Sequence, residues 1–241
     1  KRLNDIVTNL LKAARLESKS FTLSKSQINL DTLLHGLKEH FIPVLKEREQ
    51  RLVIGQIEAI PSFFADREYL EEVFSQLLEN AIKFSSDGGD IHISAKIVGR
   101  SLLEPKREIL CAFNSAFFDN LKAASYILVE IRDNGIGINE DEHLHIFDKF
   151  YGAGDIRHHS SGRVKFKAKG PGLGLSIVKG MIEAHGGMVW VESPMQDTEK
   201  SPGSSFFVLL PTEEAELQPA LPFMLDNSET RYSEDADPAH M

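Results

Sequence analysis

Six residues, Gly170-Pro171-Gly172-Leu173-Gly174-Leu175, constrain this chain more than any other stretch. Three glycines stand at alternate positions and run into Ile177, Val178, Met181 and Ile182 at helical spacing. Glycine takes φ > 0 and lets a ligand approach the backbone closely. A loop that opens a helix presents unpaired N–H groups and the positive end of the helix dipole, which suits a phosphate chain. Taken alone, the stretch reads equally as a flexible loop before a glycine-softened helix. It is not the dinucleotide fingerprint, because Leu175 holds the sixth position and no clear strand precedes it. Nor is it a P-loop, because no Lys-Ser/Thr pair closes it.

The 241 residues suffice for one sizeable domain and an appendage. A net charge of −9 argues against a general nucleic-acid binder. Cys111 is the one cysteine, so neither an intrachain disulfide nor a cysteine metal cluster is expected. No apolar run reaches the roughly 18–20 residues of a membrane helix. The chain opens on Lys1 without a signal peptide. We expect a piece of a longer, cytoplasmic chain whose membrane attachment, if any, lies in another part.

Residues 1–17 carry Leu3, Ile6, Val7, Leu10, Leu11 and Ala14 at the i, i+3, i+4, i+7 spacing of an amphipathic helix. Its stripe packs either on this chain's own domain or, in the reading we prefer, forms a seam for another helix. Residues 19–30 read as a linker entering a strand. A helix capped by Asp31 is expected through about Arg48, kinked or split by Pro43. Leu52 to Ile57 reads as a strand, and Asp66 as the cap of a strongly periodic helix ending at Phe84. Asp90 to Ile97 and Tyr126 to Arg132 alternate as strands. Residues 99–125 read as an insertion with a loop or helix near Phe113 to Ala124, either a surface elaboration or a docking element. Glu140 to Phe150 is expected to be a short helix, and Gly152 to Lys169 a polar, basic lid. A helix over 175–185 closes at Gly186-Gly187, and Met188–Glu192 pairs with Ser205–Leu210. From residue 212 the chain is acidic and reads as a weakly ordered tail. Helices interleaved with antiparallel strand pairs predict an α+β fold, a two-layer α/β sandwich.

Three further stretches precede the glycine loop: Glu79-Asn80-Ala81-Ile82-Lys83-Phe84, Asp133-Asn134-Gly135-Ile136-Gly137, and Ile146-Phe147-Asp148-Lys149-Phe150-Tyr151. On the helix ending at Phe84, Gln76, Glu79, Asn80 and Lys83 form one polar stripe, which by itself is an ordinary solvated face. Asp133-Asn134-Gly135 by itself is an ordinary turn. In this order, however, the four stretches resemble the N, G1, F and G2 boxes of the histidine kinase ATP-binding domain, and the resemblance covers roughly residues 1–211. It implies the Bergerat ATP-binding fold over 31–211. It also makes residues 1–18 similar to the second helix of a dimerisation hairpin, the half of a four-helix bundle shared by two subunits.

The resemblance assigns roles. Asn80 becomes the Mg²⁺ ligand, in keeping with a cation that takes few protein ligands and completes its shell with phosphates and water. Lys83 lies near the phosphates. Glu79 matches the general base of related ATPases and here polarises the attacking imidazole or orients a metal-bound water. Asp133 accepts from the adenine amine, with Gly135 and Gly137 letting the backbone lie close to the base. Gly170, Gly172, Leu173, Gly174 and Leu175 form the phosphate loop. Phe147 and Tyr151 are either core aromatics or a hinge that reports nucleotide occupancy. Where many family members carry an arginine after the F box, this chain has Gly152, and Arg157 and Lys167 become the lid candidates for the phosphates. Ser204 supports either the phosphates or the residues behind them.

The implied activity is transfer of the γ-phosphoryl group of ATP to a histidine, then to an aspartate on a response regulator receiver domain. The phosphoacceptor histidine precedes the helix that opens this chain. None of the nine histidines has its sequence context, so the chain alone is not expected to phosphorylate itself. Two other readings stand beside this one. The first is an ATPase of the chaperone, topoisomerase or mismatch-repair type, which Glu79 permits. The second is an interaction module with a vestigial nucleotide site.

Overall fold

The structure, a computed structural model, describes residues 7–8, 10–12, 14, 22–57, 60–118, 121, 123–152, 172–194, 196–197 and 200–212. The acidic tail and most of the lid lie outside this set. In chain order the elements are β1 (Lys25–Ile28), α1 (Leu30–Glu47), β2 (Arg51–Ile57), β3 (Phe63–Asp66), α2 (Arg67–Phe84), β4 (Asp90–Gly99), α3 (Arg100–Leu103), α4 (Arg107–Phe113), β5 (Ser125–Asp133), α5 (Gly174–Ala184), β6 (Met188–Glu192) and β7 (Ser204–Pro211). Residues 7, 8, 10–12 and 14 are also helical, and Lys12 Nζ donates to Glu72 on α2 at 2.8 Å.

Five strands form one sheet in the order β2-β4-β5-β7-β6. Among the described residues only β2 and β4 pair in parallel, and the helix α2 supplies their crossover. The other pairs are antiparallel. β1 and β3 make a separate antiparallel ribbon, Ile28 opposite Phe63. Four-residue β3 escapes sequence reading because it is shorter than any periodicity that would reveal it.

The stripes of α1, α2 and α5 bury against one face of the sheet, with Leu34, Phe74, Leu77, Ile93, Val129 and Ile182 in the main core. Strands β5, β6 and β7 bury the other face as well, where Trp190, Phe207 and Leu209 meet Leu103, Leu110 and Phe118 of the insertion. The expected two-layer sandwich therefore gains a third layer over this half of the sheet. The reason is visible in β6: Met188, Val189, Trp190 and Val191 are all buried, so both faces of the strand need cover. The insertion's helices fall at Arg100–Leu103 and Arg107–Phe113, ahead of the expected 113–124.

Three local expectations are corrected. Asn29, not Asp31, caps α1, its Oδ1 accepting from Thr32 N at 2.9 Å, while Asp31 falls in the first turn. Pro43 does not split α1, which runs unbroken to Glu47. Pro43 lies on the exposed face, where water can reach the carbonyl left without an N–H. The expected helix over 140–150 is instead two single 3₁₀ turns, Glu140–Glu142 and His145–Phe147. The tighter turn swings Phe147 into the core and leaves Leu144 outside.

Candidate functional site

Asp133 ends β5 in register with Ile91 on β4 and Ser204 on β7. It is 5% exposed. Burial raises its pKa from 3.8 to about 6, against the lowering effect of hydrogen bonds from the backbone N–H groups of Gly135 and Ser204. The Gly135 bond to Oδ1 is 2.8 Å. A buried carboxylate with spare acceptor capacity is costly unless something donates to it. Its surroundings allow no bulk. A Cβ on Gly135 would lie 2.6 Å from the Phe84 carbonyl oxygen, and one on Gly203 would lie 2.1 Å from the Asp133 carbonyl oxygen. Gly203 N donates back to the Gly135 carbonyl at 2.8 Å. Ser204 thus stands behind Asp133, with its Oγ 3.1 Å from that of Ser193. Its backbone N–H donates to the Asp133 carboxylate.

The helix α2 carries Gln76, Glu79, Asn80 and Lys83, all half-buried. Asp66 Oδ1 accepts from Tyr69 N at its start. Its far end is held by two buried residues that carry no motif. The Arg48 guanidinium donates to the carbonyls of Ile82 and Ser85 and to Asp87, and the Gln50 amide donates to Ile82 and Ser86. A cation on the last carbonyls of a helix complements its dipole. This clamp positions Phe84, whose carbonyl accepts from Ile136 N at 3.3 Å and so joins the Asn80 helix to the Asp133 turn. Lys83 Nζ lies 4.8 Å from the centre of the Phe84 ring.

The glycine loop meets the other stretches at two contacts. Gly172 has φ +72, and a Cβ there would lie 2.5 Å from the Tyr151 carbonyl oxygen. Its own carbonyl accepts from Phe150 N at 2.8 Å. A Cβ on Gly174 would lie 2.5 Å from Gln76 Oε1. Leu173 is fully buried and Leu175 packs against the main core, so their side chains anchor the loop. Among the described residues no side-chain cap closes the start of α5, and such a helix start suits an anion.

Phe147 is 4% exposed and belongs to the main core. Tyr151 Oη donates to Glu142 at 2.7 Å, a bond that pushes the phenol pKa up to about 12, and its ring stacks on His145 at 6.2 Å. Phe150 is exposed and takes φ 64, a strained backbone for a bulky residue. The structure therefore makes two sets of contacts, Gln76, Tyr151, Gly172 and Gly174 in one and Phe84, Asp133, Gly135 and Ser204 in the other, joined through the helix α2. Arg157, Lys167 and Gly170 lie outside the described residues. Among the described residues no group of three His, Cys, Asp or Glu side chains could hold a metal ion. Asn80 on the same helix offers the sparse donor set that a phosphate-bound Mg²⁺ uses.

Sequence reading missed Arg48, Gln50 and Ser193. Ser193 Oγ accepts from Ile138 N at 2.9 Å and donates to the Gly203 carbonyl. These residues act through backbone groups distant in sequence, which leaves no local spacing to read.

The family described as histidine kinase-, DNA gyrase B-, and HSP90-like ATPase matches residues 65–214. The adaptive-response sensory kinase SasA of Microcystis aeruginosa is 28% identical over 213 residues, covering 87% of this chain and 44% of its own. The alginate biosynthesis sensor protein KinB of Pseudomonas aeruginosa is 29% identical over 210 residues, covering 87% and 28%. The chain thus spans less than half the length of these relatives. Among solved structures, full-length ShkA in complex with AMPPNP superposes with a TM-score of 0.64 at 21% identity, over 87% of this chain and 35% of that one. Histidine kinase ThkA in complex with response regulator protein TrrA gives 0.54 at 18%, over 87% and 49%. These likenesses show the fold.

Proposed function

Since the chain belongs to the family of histidine kinase-, DNA gyrase B- and HSP90-like ATPases, with residues 65–214 matched, we propose that it is the ATP-binding catalytic part of a two-component sensor histidine kinase. It transfers the γ-phosphoryl group of ATP to a histidine outside this chain, for relay to an aspartate of a response regulator receiver domain. The relatives' names as sensor kinases support this reading. So does a structural neighbour solved with its response regulator. The reading puts the chain in the cytoplasm, where ATP is. No helix among the described residues is long and apolar enough to cross a membrane. Helical residues 7, 8, 10–12 and 14 fit the end of a dimerisation hairpin, which would pair two copies of the parent protein.

The single observation that carries the proposal is the buried carboxylate of Asp133, open to a donor and walled by Gly135 and Gly203. The adenine amine supplies that donor. Guanine presents a carbonyl at the same place, which sets two acceptors face to face and discriminates against it. The uncapped start of α5 receives phosphate oxygens on its N–H groups. Asn80 would hold Mg²⁺ through its side-chain oxygen, and the ion would supply neutralisation of phosphate charge. Glu79, one residue earlier on α2, polarises the attacking imidazole or orients a metal-bound water. Lys83, with Arg157 and Lys167 of the lid, adds positive charge.

Calorimetric titration of Mg-ATP and Mg-GTP into this chain tests the proposal. Binding of ATP and not GTP supports the adenine site. Failure to bind ATP favours an interaction module. Labelled ATP should leave no acid-labile phosphate on this chain alone. Steady ATP hydrolysis that Glu79→Ala abolishes would point to an ATPase of the gyrase or chaperone type.

A further inference from the structure

The insertion between β4 and β5 belongs to none of the four sequence boxes, yet it is fastened firmly to the sheet. Lys106 Nζ donates to Glu192 on β6 and lies 5.3 Å from the centre of the Phe207 ring. Arg100 and Arg107 both lie over the ring of Phe118, at 5.9 and 5.1 Å. Trp190 and Phe207 stack at 5.0 Å beneath them. These contacts account for the cover over the second face of the sheet. They do not account for Phe113, the last residue of α4.

Phe113 is half-buried, and among the described residues it is the one side chain packed against both hydrophobic clusters. The two clusters lie on opposite faces of the sheet. Helix α4 packs beside β6, the edge strand, so Phe113 reaches the main core by passing that edge. There its ring meets Phe147 edge to face, with centroids 5.9 Å apart and planes at 85°. Phe147 ends the 3₁₀ turn whose next residues make the joint with the glycine loop. Asp148 N donates to the His145 carbonyl, Phe150 N to the Gly172 carbonyl, and the Tyr151 carbonyl lies against Gly172. Phe150 holds a strained φ in this joint, and a strained backbone persists only where its neighbours over-determine it. Phe113 is the neighbour supplied from outside the boxes.

We infer that Phe113 is a positioning residue for the nucleotide site: the insertion braces Phe147 and thereby holds residues 148–151 in register with the glycine loop. This inference deepens the nucleotide-site reading above and rests on it for the effect on affinity. The brace itself rests only on the Phe113–Phe147 contact. It gives the insertion a second task beyond covering Trp190 and Phe207, since removing the brace would loosen the loop's docking without touching a ligand contact.

The test compares this chain with Phe113→Ala, Phe113→Leu and Phe117→Ala by amide hydrogen exchange and Mg-ATP titration. Phe117 belongs to the second cluster alone and controls for loss of insertion packing. Phe113→Ala should speed exchange at the Asp148, Phe150 and Tyr151 amides and weaken Mg-ATP binding, each by up to about tenfold, the most a single aromatic pair supplies. Phe113→Leu, which keeps apolar bulk against Phe147, should recover most of both effects. Phe117→Ala should lower Tm and leave both readouts alone. Unchanged exchange at 148–151 in Phe113→Ala would overturn the inference, as would an equal rise in Phe117→Ala. Should the unmodified chain bind no Mg-ATP, the nucleotide reading falls while the exchange result still decides the brace.

Discussion

His185 Nε2 accepts the backbone N–H of Asp66 at 3.0 Å, while its Nδ1 donates to the Met181 carbonyl at 2.7 Å. A backbone N–H can only donate, so the proton of the neutral ring is on Nδ1. Asp66 in turn caps α2 and accepts from Ser24 N at 2.8 Å. One buried imidazole therefore joins the end of α5, the start of α2 and the residues that lead into β1.

Acidification should undo this junction. Burial lowers the His185 pKa from 6.5, against the raising effects of the Met181 carbonyl and Asp66, while Lys25 lowers it further. Because the folded pKa lies below the unfolded one, the unfolded chain binds the proton first. The stabilisation is complete above about pH 6.5 and is lost as pH falls through the folded value. His185→Ala should cost about 1–3 kcal/mol at pH 7.5, the size of leaving the Asp66 N–H without its buried partner. Its thermal melts should show a weaker fall between pH 6.5 and 5 than the unmodified chain.

Asp133 has the opposite sign. Its pKa rises from 3.8 to about 6, so the charged form is strained in the fold. Its contribution to stability is fully present below pH 3.8 and is lost as pH rises through 6. Asp133→Asn should therefore stabilise the ligand-free chain at pH 7.5, by at most about 3 kcal/mol, and so raise its Tm, while abolishing the preference for ATP over GTP. ATP affinity of the unmodified chain should fall as pH drops below 6, since a protonated carboxyl no longer offers both oxygens as acceptors. Calorimetry at pH 7.5 and 5.5 checks both statements.

Asn80→Ala should leave the stability within about 0.5 kcal/mol, as expected of a half-buried side chain outside the core. It should remove the Mg²⁺ dependence of ATP binding and weaken Mg-ATP by at least about tenfold. Titrations with and without chelator separate the two.

Two glycines with similar φ should respond unequally to alanine. Gly88 has φ +76 and open space around its missing Cβ, so Gly88→Ala should cost only the left-handed backbone, about 1–2 kcal/mol. Gly172 has φ +72 and the Tyr151 carbonyl 2.5 Å away, so Gly172→Ala must also push the glycine loop off residues 150–151. ATP binding should survive the first change and be lost in the second. Equal affinities for the two variants would contradict the loop docking described here.

The local chemistry was legible in the chain itself. The stripe of α2, the Asp66 cap, the alternation of β4 and β5, and the Gly186-Gly187 stop rest on interactions within a few residues, and each appears where the spacing put it. The order of the four boxes was legible too, and with it the family. What the tertiary structure alone decided is how distant backbone groups meet: Arg48 and Gln50 on the last carbonyls of α2, Ser193 between Ile138 and Gly203, His185 on Asp66, and Phe113 around the edge of β6 on Phe147. Hydrogen bonds to main-chain atoms do not depend on which side chain the partner carries, and packing asks only for apolar volume. Neither leaves a residue pattern in the partner, so neither could be read until the chain had folded.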